Sequence, residues 1–473
     1  MWKGAAVFLL AALAIGWHLR YVYQGSVQIP KIPEEYWGPG RSVPDTKEIK
    51  PFKINVSKEV IDDLNQRLGR TREFAKPLEG VAWTYGISSI HLKKVLGYWR
   101  KSYDWSQRQT LLNKYPQFTT KIQGLDIHFY HVKPQLPKNR NIRVLPLLMV
   151  HGWPGSVVEF QKIIPLLTQV SAERDFVFEV IAPSLPGYGF SSPASKPGLG
   201  PAQVAVVFKN LMLRLGINTF YVQGGDWGSL ITSILATLFP ENVIGAHSNM
   251  CFVNAPLSNF LWFIGNYIPS LVVESEHQSK MYPISEKLSW LIEESGYFHL
   301  QATKPDTVGT GLSDSPAGLA AYILEKFSTW TNPSYKLRDD GGLTEKFSLD
   351  ELLDNVMVYW VTNSITTSQR LYAEGFSKAH HAHGFQSLPV SVPSACAMFP
   401  YELMYFSETL LRQRYPKMIQ FTHADKGGHF AAFEEPELLA IDIFTFVNKN
   451  EQQLKEEQRI EAQQQQESDQ RKA

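Results

Sequence analysis

Residues 219–228 read TFYVQGGDWG and decide the fold of this chain. A short strand over residues 219–223 runs into small residues on both sides of Asp226, and a helix over 229–238 follows. This order is typical of a nucleophile elbow, where a reactive side chain lies at the apex of a sharp strand-to-helix turn. A carboxylate at the apex is suited to attack saturated carbon and form an alkyl-enzyme ester. The alternative is that Asp226 only caps the helix, as aspartate commonly does.

Strands and helices alternate around this turn, which predicts a parallel sheet with helices on both faces. The predicted strands cover residues 144–150, 176–182, 219–223, 243–248, 391–397 and 418–422, and the predicted helices cover 202–215, 229–238 and 436–448. The alternation lapses from about residue 249 to 388, where helical, aromatic-rich segments dominate. We expect this insertion to form a cap over the carboxyl ends of the strands, where open parallel sheets bind ligands. The sequence therefore predicts an α/β-hydrolase fold with a mainly helical cap inserted in the core.

An acid and a histidine follow Asp226 in the chain order nucleophile, acid, histidine. Glu402 lies just after the predicted strand over residues 391–397, and His429 follows the next predicted strand, behind two glycines. A histidine alone is more often structural than catalytic, but an acid and a histidine after neighbouring strands rarely occur together by accident. We expect His429 to activate water and Glu402 to orient its ring.

A second loop offers backbone donors beside the elbow. Residues 151–156 read HGWPGS and directly follow the first predicted core strand. The N–H groups of Trp153 and Trp227 are the candidates for an oxyanion hole that stabilises an ester oxygen while water attacks. A plain glycine-proline turn between strand and helix is the alternative for this loop.

The two ends of the chain differ in composition from the rest. Residues 4–19 form a nearly uncharged apolar run, slightly short of the ~20 residues of a spanning helix. We interpret residues 1–24 as an uncleaved membrane anchor, because the run ends in interfacial aromatic residues and is not followed by a clear cleavage site. A cleaved signal peptide is the alternative. Residues 451–473 are rich in Gln and Glu and predict a solvated extension, helical or frayed, without a catalytic role.

These patterns divide the chain into six segments. The predicted segments are a membrane anchor (1–24), an N-terminal extension that wraps core and cap (25–140), the first part of the core (141–249), the helical cap (250–388), the second part of the core (389–450) and a polar tail (451–473). Two segments of core thus enclose the cap.

Composition and motifs exclude some classes of function. A net charge of +1 provides no field that would attract nucleic acid. Only Cys251 and Cys396 are present, which favours a reducing, cytosol-facing environment, although one bridge between them stays open. The histidine-rich residues 380–383 have no accompanying ligands at metal-site spacing, and no glycine-rich phosphate motif follows a strand. We therefore expect no metal and no cofactor.

Several motifs resemble those of the microsomal epoxide hydrolases, and within that group the juvenile hormone epoxide hydrolases are a close match. The matching motifs are residues 36–38 (YWG), 151–154 (HGWP), 224–229 (GGDWGS), 295–297 (SGY) and 427–430 (GGHF). The resemblance spans nearly the whole chain. It implies that Tyr297 and Tyr372 in the cap donate hydrogen bonds to the epoxide oxygen, where a phenol would stabilise the charge that develops as the ring opens.

The resemblance implies an enzyme that adds water to apolar epoxides and needs no protein partner. It also implies the endoplasmic reticulum membrane as its location, with the catalytic part facing the cytosol. The sequence leaves open whether the substrate is a terpenoid hormone or a lipophilic foreign epoxide, and whether Asn55 in a glycosylation sequon is modified. A haloalkane dehalogenase, which also uses an elbow aspartate, and a non-catalytic hormone or lipid binder are the alternative functions.

Overall fold

The structure is a computed structural model that describes residues 10–11, 13–15, 17–18 and 28–472. Most of the predicted anchor over residues 1–24 lies outside this part of the chain. None of the helices formed by the described residues combines the length and the apolar character needed to cross a bilayer. The anchor therefore stays a prediction.

A nine-stranded sheet runs through the centre of the described chain. Its strands are β1 (Ile49–Phe52), β2 (Gln117–Ile122), β3 (Leu125–Val132), β4 (Arg143–Val150), β5 (Phe176–Pro183), β6 (Phe220–Gly224), β7 (Val243–Ser248), β8 (Ser394–Met398) and β9 (Met418–His423). They lie in the order β1-β2-β3-β5-β4-β6-β7-β8-β9. From β5 to β9 the neighbouring strands pair in parallel, whereas β1, β2 and β3 extend the β5 edge with antiparallel pairs.

Helices cover the sheet and form the cap. They are α1 (Lys58–Gly69), α2 (Ser89–Lys101), α3 (Trp105–Leu112), α4 (Ile163–Thr168), α5 (Pro201–Arg214), α6 (Asp226–Leu238), α7 (Pro256–Gly265), α8 (Gln278–Met281), α9 (Ile284–Glu294), α10 (Gly296–Thr303), α11 (Pro305–Asp314), α12 (Pro316–Thr329), α13 (Leu349–Thr362), α14 (Ile365–Gly375), α15 (Lys378–Ala382), α16 (Glu408–Leu411), α17 (Ala431–Glu434) and α18 (Pro436–Lys472). Every residue of β6 and β8 is buried, as expected for parallel strands with both faces covered.

The predicted alternation of strands and helices is confirmed, with shifts at the ends of elements. The strand predicted over residues 391–397 is Ser394–Met398, and the helix predicted from residue 229 already begins at Asp226. The closing helix, predicted to end at residue 448, continues to Lys472, because the Gln, Glu and Lys residues of the tail are good helix formers. The first residue of the predicted tail contacts the core. Glu451 is buried and accepts a hydrogen bond of 2.6 Å from Tyr221 Oη.

The N-terminal extension contributes three strands to the sheet, which the sequence analysis did not predict. Strands β2 and β3 form a hairpin whose two-residue turn, Gln123 and Gly124, has positive φ at both positions. Positive φ at both positions is typical of a type I′ turn, whose twist matches that of the two strands in a hairpin. Helices α2 and α3 of the extension lie against the cap: Tyr98 Oη donates to Asp350 in α13 at 2.8 Å. The extension thus contacts both core and cap.

The cap is formed by helices α7 to α15, between β7 and β8, where the insertion was predicted. A disulfide joins Cys251, just after β7, to Cys396 in β8, and the two Cα atoms are 5.7 Å apart. The bridge therefore links the two chain segments at which the cap leaves and re-enters the core. Because both cysteines are oxidised, the cysteine count no longer supports the reducing environment that the sequence analysis favoured.

Candidate active site

Asp226 lies at a strained turn between β6 and α6. Its φ of 49° is in the left-handed region, which residues other than glycine rarely adopt. Glycines make the turn possible: a Cβ on Gly228 would lie 1.8 Å from the Val150 carbonyl oxygen, and a Cβ on Gly152 would lie 2.3 Å from Asp226 Oδ1. The N-cap of α6 is Gly225, so the alternative in which Asp226 only caps the helix does not hold.

The acid and the histidine predicted from the sequence meet Asp226 at the carboxyl ends of the strands. His429 Nε2 lies 3.5 Å from Asp226 Oδ2, and His429 Nδ1 lies 2.6 Å from Glu402 Oε1. The side chains of His429 and Glu402 are 2% and 1% exposed, whereas that of Asp226 is 16% exposed. A continuous chain of polar contacts therefore runs from a buried acid through the imidazole to a carboxylate that solvent or a ligand can reach.

The charges around His429 determine its protonation. Burial by itself would lower the pKa of His429, but the neighbouring Glu402 and Asp226 carboxylates outweigh it and hold this pKa well above its usual value. The two carboxylates thus favour the imidazolium form of His429 in the free protein. Neutralising either carboxylate would bring the pKa of His429 down again.

Backbone donors approach Asp226 from the loop after β4. The Trp153 N–H donates to Asp226 Oδ1 at 2.8 Å, as expected for one arm of an oxyanion hole. Among the described hydrogen bonds, the Trp227 N–H makes none to this carboxylate, so its part in the hole stays a prediction. His151, which begins the loop, is buried with a pKa lowered to about 4 by desolvation. Its Nε2 accepts from the Leu185 N–H at 3.1 Å, which gives this histidine a structural role.

The cap brings Tyr297 and Tyr372 together above the elbow, although they are 75 residues apart in sequence. Tyr297 is in the first turn of α10 and Tyr372 is in α14, with ring centroids 6.0 Å apart. Burial is the main cause that raises the pKa of each phenol above its ordinary value, and the Asp226 charge adds to it. Both tyrosines are therefore hydrogen-bond donors at neutral pH.

Aromatic rings form the wall around these phenols. The Trp153 ring stacks on Tyr297 at 5.4 Å with an interplanar angle of 7°, and meets Tyr372 edge-on at 5.9 Å. Trp227 meets Tyr372 edge-on at 4.8 Å, and Trp330 meets the His429 ring at 4.9 Å. These surfaces are mainly aromatic, which suits an apolar ligand that accepts hydrogen bonds from the two phenols.

A functional residue that the sequence analysis missed is Glu434. This buried carboxylate accepts from the Gly428 N–H at 2.7 Å through Oε2 and from the Phe430 N–H at 2.8 Å through Oε1. It therefore holds the backbone on both sides of His429. Burial raises the pKa of Glu434 to about 8, while the two N–H donors favour its charged form. The sequence offered one signal for this residue, because Glu434 is an acid only five positions after the predicted base His429.

The cap also holds the loop that carries Trp153 in place. This contact was not predicted from the sequence. Asn355 Nδ2 in α13 donates to the Pro154 carbonyl oxygen at 2.8 Å, and Tyr359 Oη donates to that of Gly155 at 2.6 Å. Ser156 Oγ donates in turn to Asn355 Oδ1 at 2.7 Å. Cap and core are thus joined by buried hydrogen bonds at the oxyanion loop.

Two other kinds of chemistry, a serine nucleophile and a metal centre, are not supported beside Asp226 by the described residues. Ser229, the serine nearest the elbow, is fully buried and donates to the Met250 carbonyl oxygen at 2.7 Å, so it is not available as a nucleophile. A possible ligand cluster for a metal exists elsewhere, where one atom each of Glu274, His277 and His423 lies within 4.8 Å of the others. It includes none of the histidines in residues 380–383. The expected absence of a metal stays a prediction.

Comparison with known proteins identifies relatives over nearly the whole chain. Residues 49–160 match the family model described as epoxide hydrolase N terminus, and residues 146–268 match that of the alpha/beta hydrolase fold. The chain is 55% identical over 452 residues to juvenile hormone epoxide hydrolase 1 of Ctenocephalides felis, covering 95% of this chain and 96% of the relative. It is 49% identical to epoxide hydrolase 1 of Oryctolagus cuniculus, covering 94% and 99%. The crystal structure of juvenile hormone epoxide hydrolase from Bombyx mori superposes with a TM-score of 0.86 at 51% identity, covering 89% of this chain and 99% of that one.

Proposed function

The chain belongs to the epoxide hydrolase family and has the α/β-hydrolase fold with a helical cap, and from this premise we propose that it opens apolar epoxides through a covalent ester on Asp226. The observation that carries the proposal is the chain of contacts Glu402–His429–Asp226, with the Trp153 N–H on the far oxygen of the same carboxylate. One oxygen of Asp226 is thereby held, and the other is free to react.

In the first half-reaction, Asp226 Oδ2 attacks an epoxide carbon. The carbon–oxygen bond of the ring breaks, and the departing oxygen receives hydrogen bonds and a proton from the phenols of Tyr297 and Tyr372. Their raised pKa values keep the phenols protonated until negative charge develops on that oxygen. The product is a hydroxyalkyl ester of Asp226.

In the second half-reaction, water attacks the ester carbonyl carbon. Ester formation has removed the negative charge of Asp226, so one of the two charges that raise the pKa of His429 is gone. The imidazolium then gives its proton to the tyrosinate left by ring opening, and the neutral imidazole can accept a proton from water. The Trp153 N–H stabilises the oxyanion that forms on Oδ1, and Trp227 is its proposed second donor. The diol leaves, and the aspartate is regenerated.

Oxygen labelling tests this mechanism. During a single turnover in water enriched in the heavy isotope of oxygen, the enzyme should gain label in the peptide that contains Asp226, because the water oxygen stays on the aspartate. The His429→Gln variant should accumulate the ester, with a mass increase equal to the mass of the epoxide. Label in the diol alone, with no ester in either protein, would mean that water attacks the epoxide directly.

The substrate class follows from the aromatic wall and from the relatives. Rings of Trp153, Trp227 and Trp330 surround the two phenols, which favours an apolar epoxide. Relatives at 46–55% identity carry the name juvenile hormone epoxide hydrolase, and others at 47–49% the name epoxide hydrolase 1. We propose a terpenoid hormone epoxide, a lipophilic foreign epoxide, or both as substrates. Competition between a juvenile-hormone-like epoxide and an aromatic epoxide in one assay gives the ratio of their kcat/KM values.

Membrane attachment is a further part of the proposal. The run over residues 4–19 is apolar, and its described side chains Leu10, Leu13 and Trp17 are more than half exposed. We propose that residues 1–24 anchor the protein in the endoplasmic reticulum membrane. The full chain should stay with microsomes after alkaline extraction, and a chain that lacks residues 1–24 should be released. Equal release of both chains would contradict the anchor.

A further inference from the structure

A small cavity lies beside the reacting groups. Its volume is about 20 Å³, and roughly 10–15 Å³ is enough for one water molecule. A water in such a place needs two to four polar partners. The polar side chains that line it include those of His151, Glu159, Gln223, Asp226, Asn249 and His429. The cavity therefore admits one water, within reach of both the nucleophile and the base.

Glu159 is the member of this lining that the mechanism has not used. It follows the oxyanion loop in the short 3-10 helix Val157–Phe160 and is 8% exposed. Its carboxyl group contacts the loop at Gly155 and occupies the space that a side chain at this position would need. A Cβ on Gly155 would lie 1.3 Å from Glu159 Oε1. Burying a carboxyl group costs free energy unless it is hydrogen-bonded, and a water in the cavity would provide such a partner.

The opposite part of the cavity is fixed by two amides. Gln223 Nε2 donates to Asn249 Oδ1 at 2.9 Å, and both side chains are buried. A Cβ on Gly225 would lie 2.6 Å from Asn249 Nδ2, so this amide group is held against the elbow, one residue before Asp226. The Asn249 NH₂ group is thus a second polar partner for a water in the cavity.

We propose that this cavity is the binding site of the hydrolytic water and that Glu159 positions this water for attack on the Asp226 ester, an inference that rests on the function proposed above. One O–H of the water gives its proton to His429 Nε2, and the other donates a hydrogen bond to the Glu159 carbonyl oxygen. A lone pair of the water oxygen forms the bond to Asp226 Cγ, and the carbonyl electrons move to the oxygen beside the Trp153 N–H. When they return, the bond from Cγ to the alkyl oxygen breaks, and that oxygen takes the proton from His429. The second water proton, left on the Asp226 carboxyl group, then passes to His429 and restores the resting ion pair.

The charge state of Glu159 fits this role. Burial raises the pKa of Glu159 to about 8, partly opposed by the charge of His429. At pH 7 the group is therefore mostly a neutral acid, which orients a water without adding a third negative charge around His429 and the forming oxyanion. Above pH 8 the ionised carboxylate would repel that oxyanion, so the hydrolysis rate should fall.

Two variants test the proposal in the full-length enzyme, with ester formation and ester hydrolysis measured separately by rapid quench and mass spectrometry. Glu159→Leu removes the acceptor and should slow ester hydrolysis by about 10²-fold, the cost of a badly placed reactant, with ester formation almost unchanged. Glu159→Gln keeps a carbonyl oxygen and should hydrolyse the ester within about threefold of the wild-type rate, but without the fall above pH 8. Exposed Glu173, changed in the same two ways, is the control and should match the wild type.

The outcomes separate this inference from the proposed function. The inference is overturned if Glu159→Leu hydrolyses the ester at the wild-type rate, or if Glu159→Gln keeps the alkaline fall of the wild type. If Glu159→Leu fails to fold, the pH profile of Glu159→Gln decides alone. If the wild-type enzyme forms no ester at all, the covalent mechanism fails, and that failure is seen before any Glu159 variant is examined.

Discussion

The two hydrogen bonds that Glu434 accepts predict a defined loss when its carboxylate becomes an amide. In Glu434→Gln one oxygen remains, so one of the two backbone N–H groups beside His429 loses its acceptor. A buried donor left without a partner costs about 1–3 kcal/mol. Against the 5–15 kcal/mol that usually stabilises a folded domain, this loss is large enough to measure. We expect the free energy of unfolding to fall by about that amount.

The same variant should affect the second half-reaction more than the first. Gly428 and Phe430 flank the base, so a shift of about 1 Å in their backbone moves His429 relative to Asp226 and can slow ester hydrolysis by about 10²-fold. Attack on the epoxide uses Asp226 and the tyrosines and should stay close to the wild-type rate. Urea unfolding gives the stability, and single-turnover measurements of ester formation and decay give the two rates.

Glu437→Gln is a matched control for this variant. It makes the same substitution three residues further on, at an exposed position in the first turn of α18. Exposed substitutions of this kind usually change stability by less than about 0.5 kcal/mol. If Glu434→Gln unfolds at the same urea concentration as Glu437→Gln and hydrolyses the ester at the wild-type rate, the argument from the paired hydrogen bonds is refuted.

Three further predictions follow from the site. Tyr297→Phe and Tyr372→Phe should each slow ester formation by about 10–10²-fold, because one of the two phenols remains. The double variant should slow ester formation by about 10²–10⁴-fold or more, as measured by stopped flow. Full activity of the double variant would favour a dehalogenase-like chemistry. Glu402→Gln should slow ester hydrolysis by about 10²–10⁴-fold and move the acidic limb of its pH profile to lower pH, because the largest of the charges that raise the pKa of His429 is lost. An unmoved limb would exclude Glu402 as that charge. Folding raises the pKa of Glu159 from 4.5 to about 8, so between these pH values the native state holds one proton more than the unfolded chain. The free energy of unfolding of the wild type should therefore fall as the pH rises through this range. Relative to Glu159→Gln, the fall should be up to about 1.4 kcal/mol per pH unit. Parallel stability curves for the two proteins would contradict that pKa.

The elements of the core were predictable because their patterns are local. Residues 243–248 are a buried apolar run between turns, and they form the strand Val243–Ser248. The elbow was predictable because small residues around Asp226 are needed wherever a helix starts within two residues of a strand. Asp226, Glu402 and His429 were then found by chain order, since the carboxyl ends of parallel strands meet at one edge of the sheet.

The remaining parts of the site depend on contacts between distant segments. Nothing near Asn355 or Tyr359 in the sequence shows that their side chains hold residues 154 and 155, because the contact spans about 200 residues. The hairpin of β2 and β3 was different, since the Gln123-Gly124 turn between two alternating stretches is a recognisable local signal that the analysis did not use. Glu159 and Glu434 were missed because their roles arise from burial, which one sequence does not display.

The charges around His429 impose an order on the two half-reactions. In the free enzyme two carboxylates flank the imidazole and keep it protonated, so it has no free nitrogen with which to take a proton from water. Ring opening turns Asp226 into a neutral ester and leaves a tyrosinate in the site. The pKa of His429 then falls, its proton passes to the tyrosinate, and the neutral imidazole acts as a base. A neutral Glu159 preserves this change, because a further carboxylate in the cavity would replace the charge that ester formation has just removed. The base is therefore produced by the first step and consumed by the second, which prevents the activation of water before an ester is present to receive it.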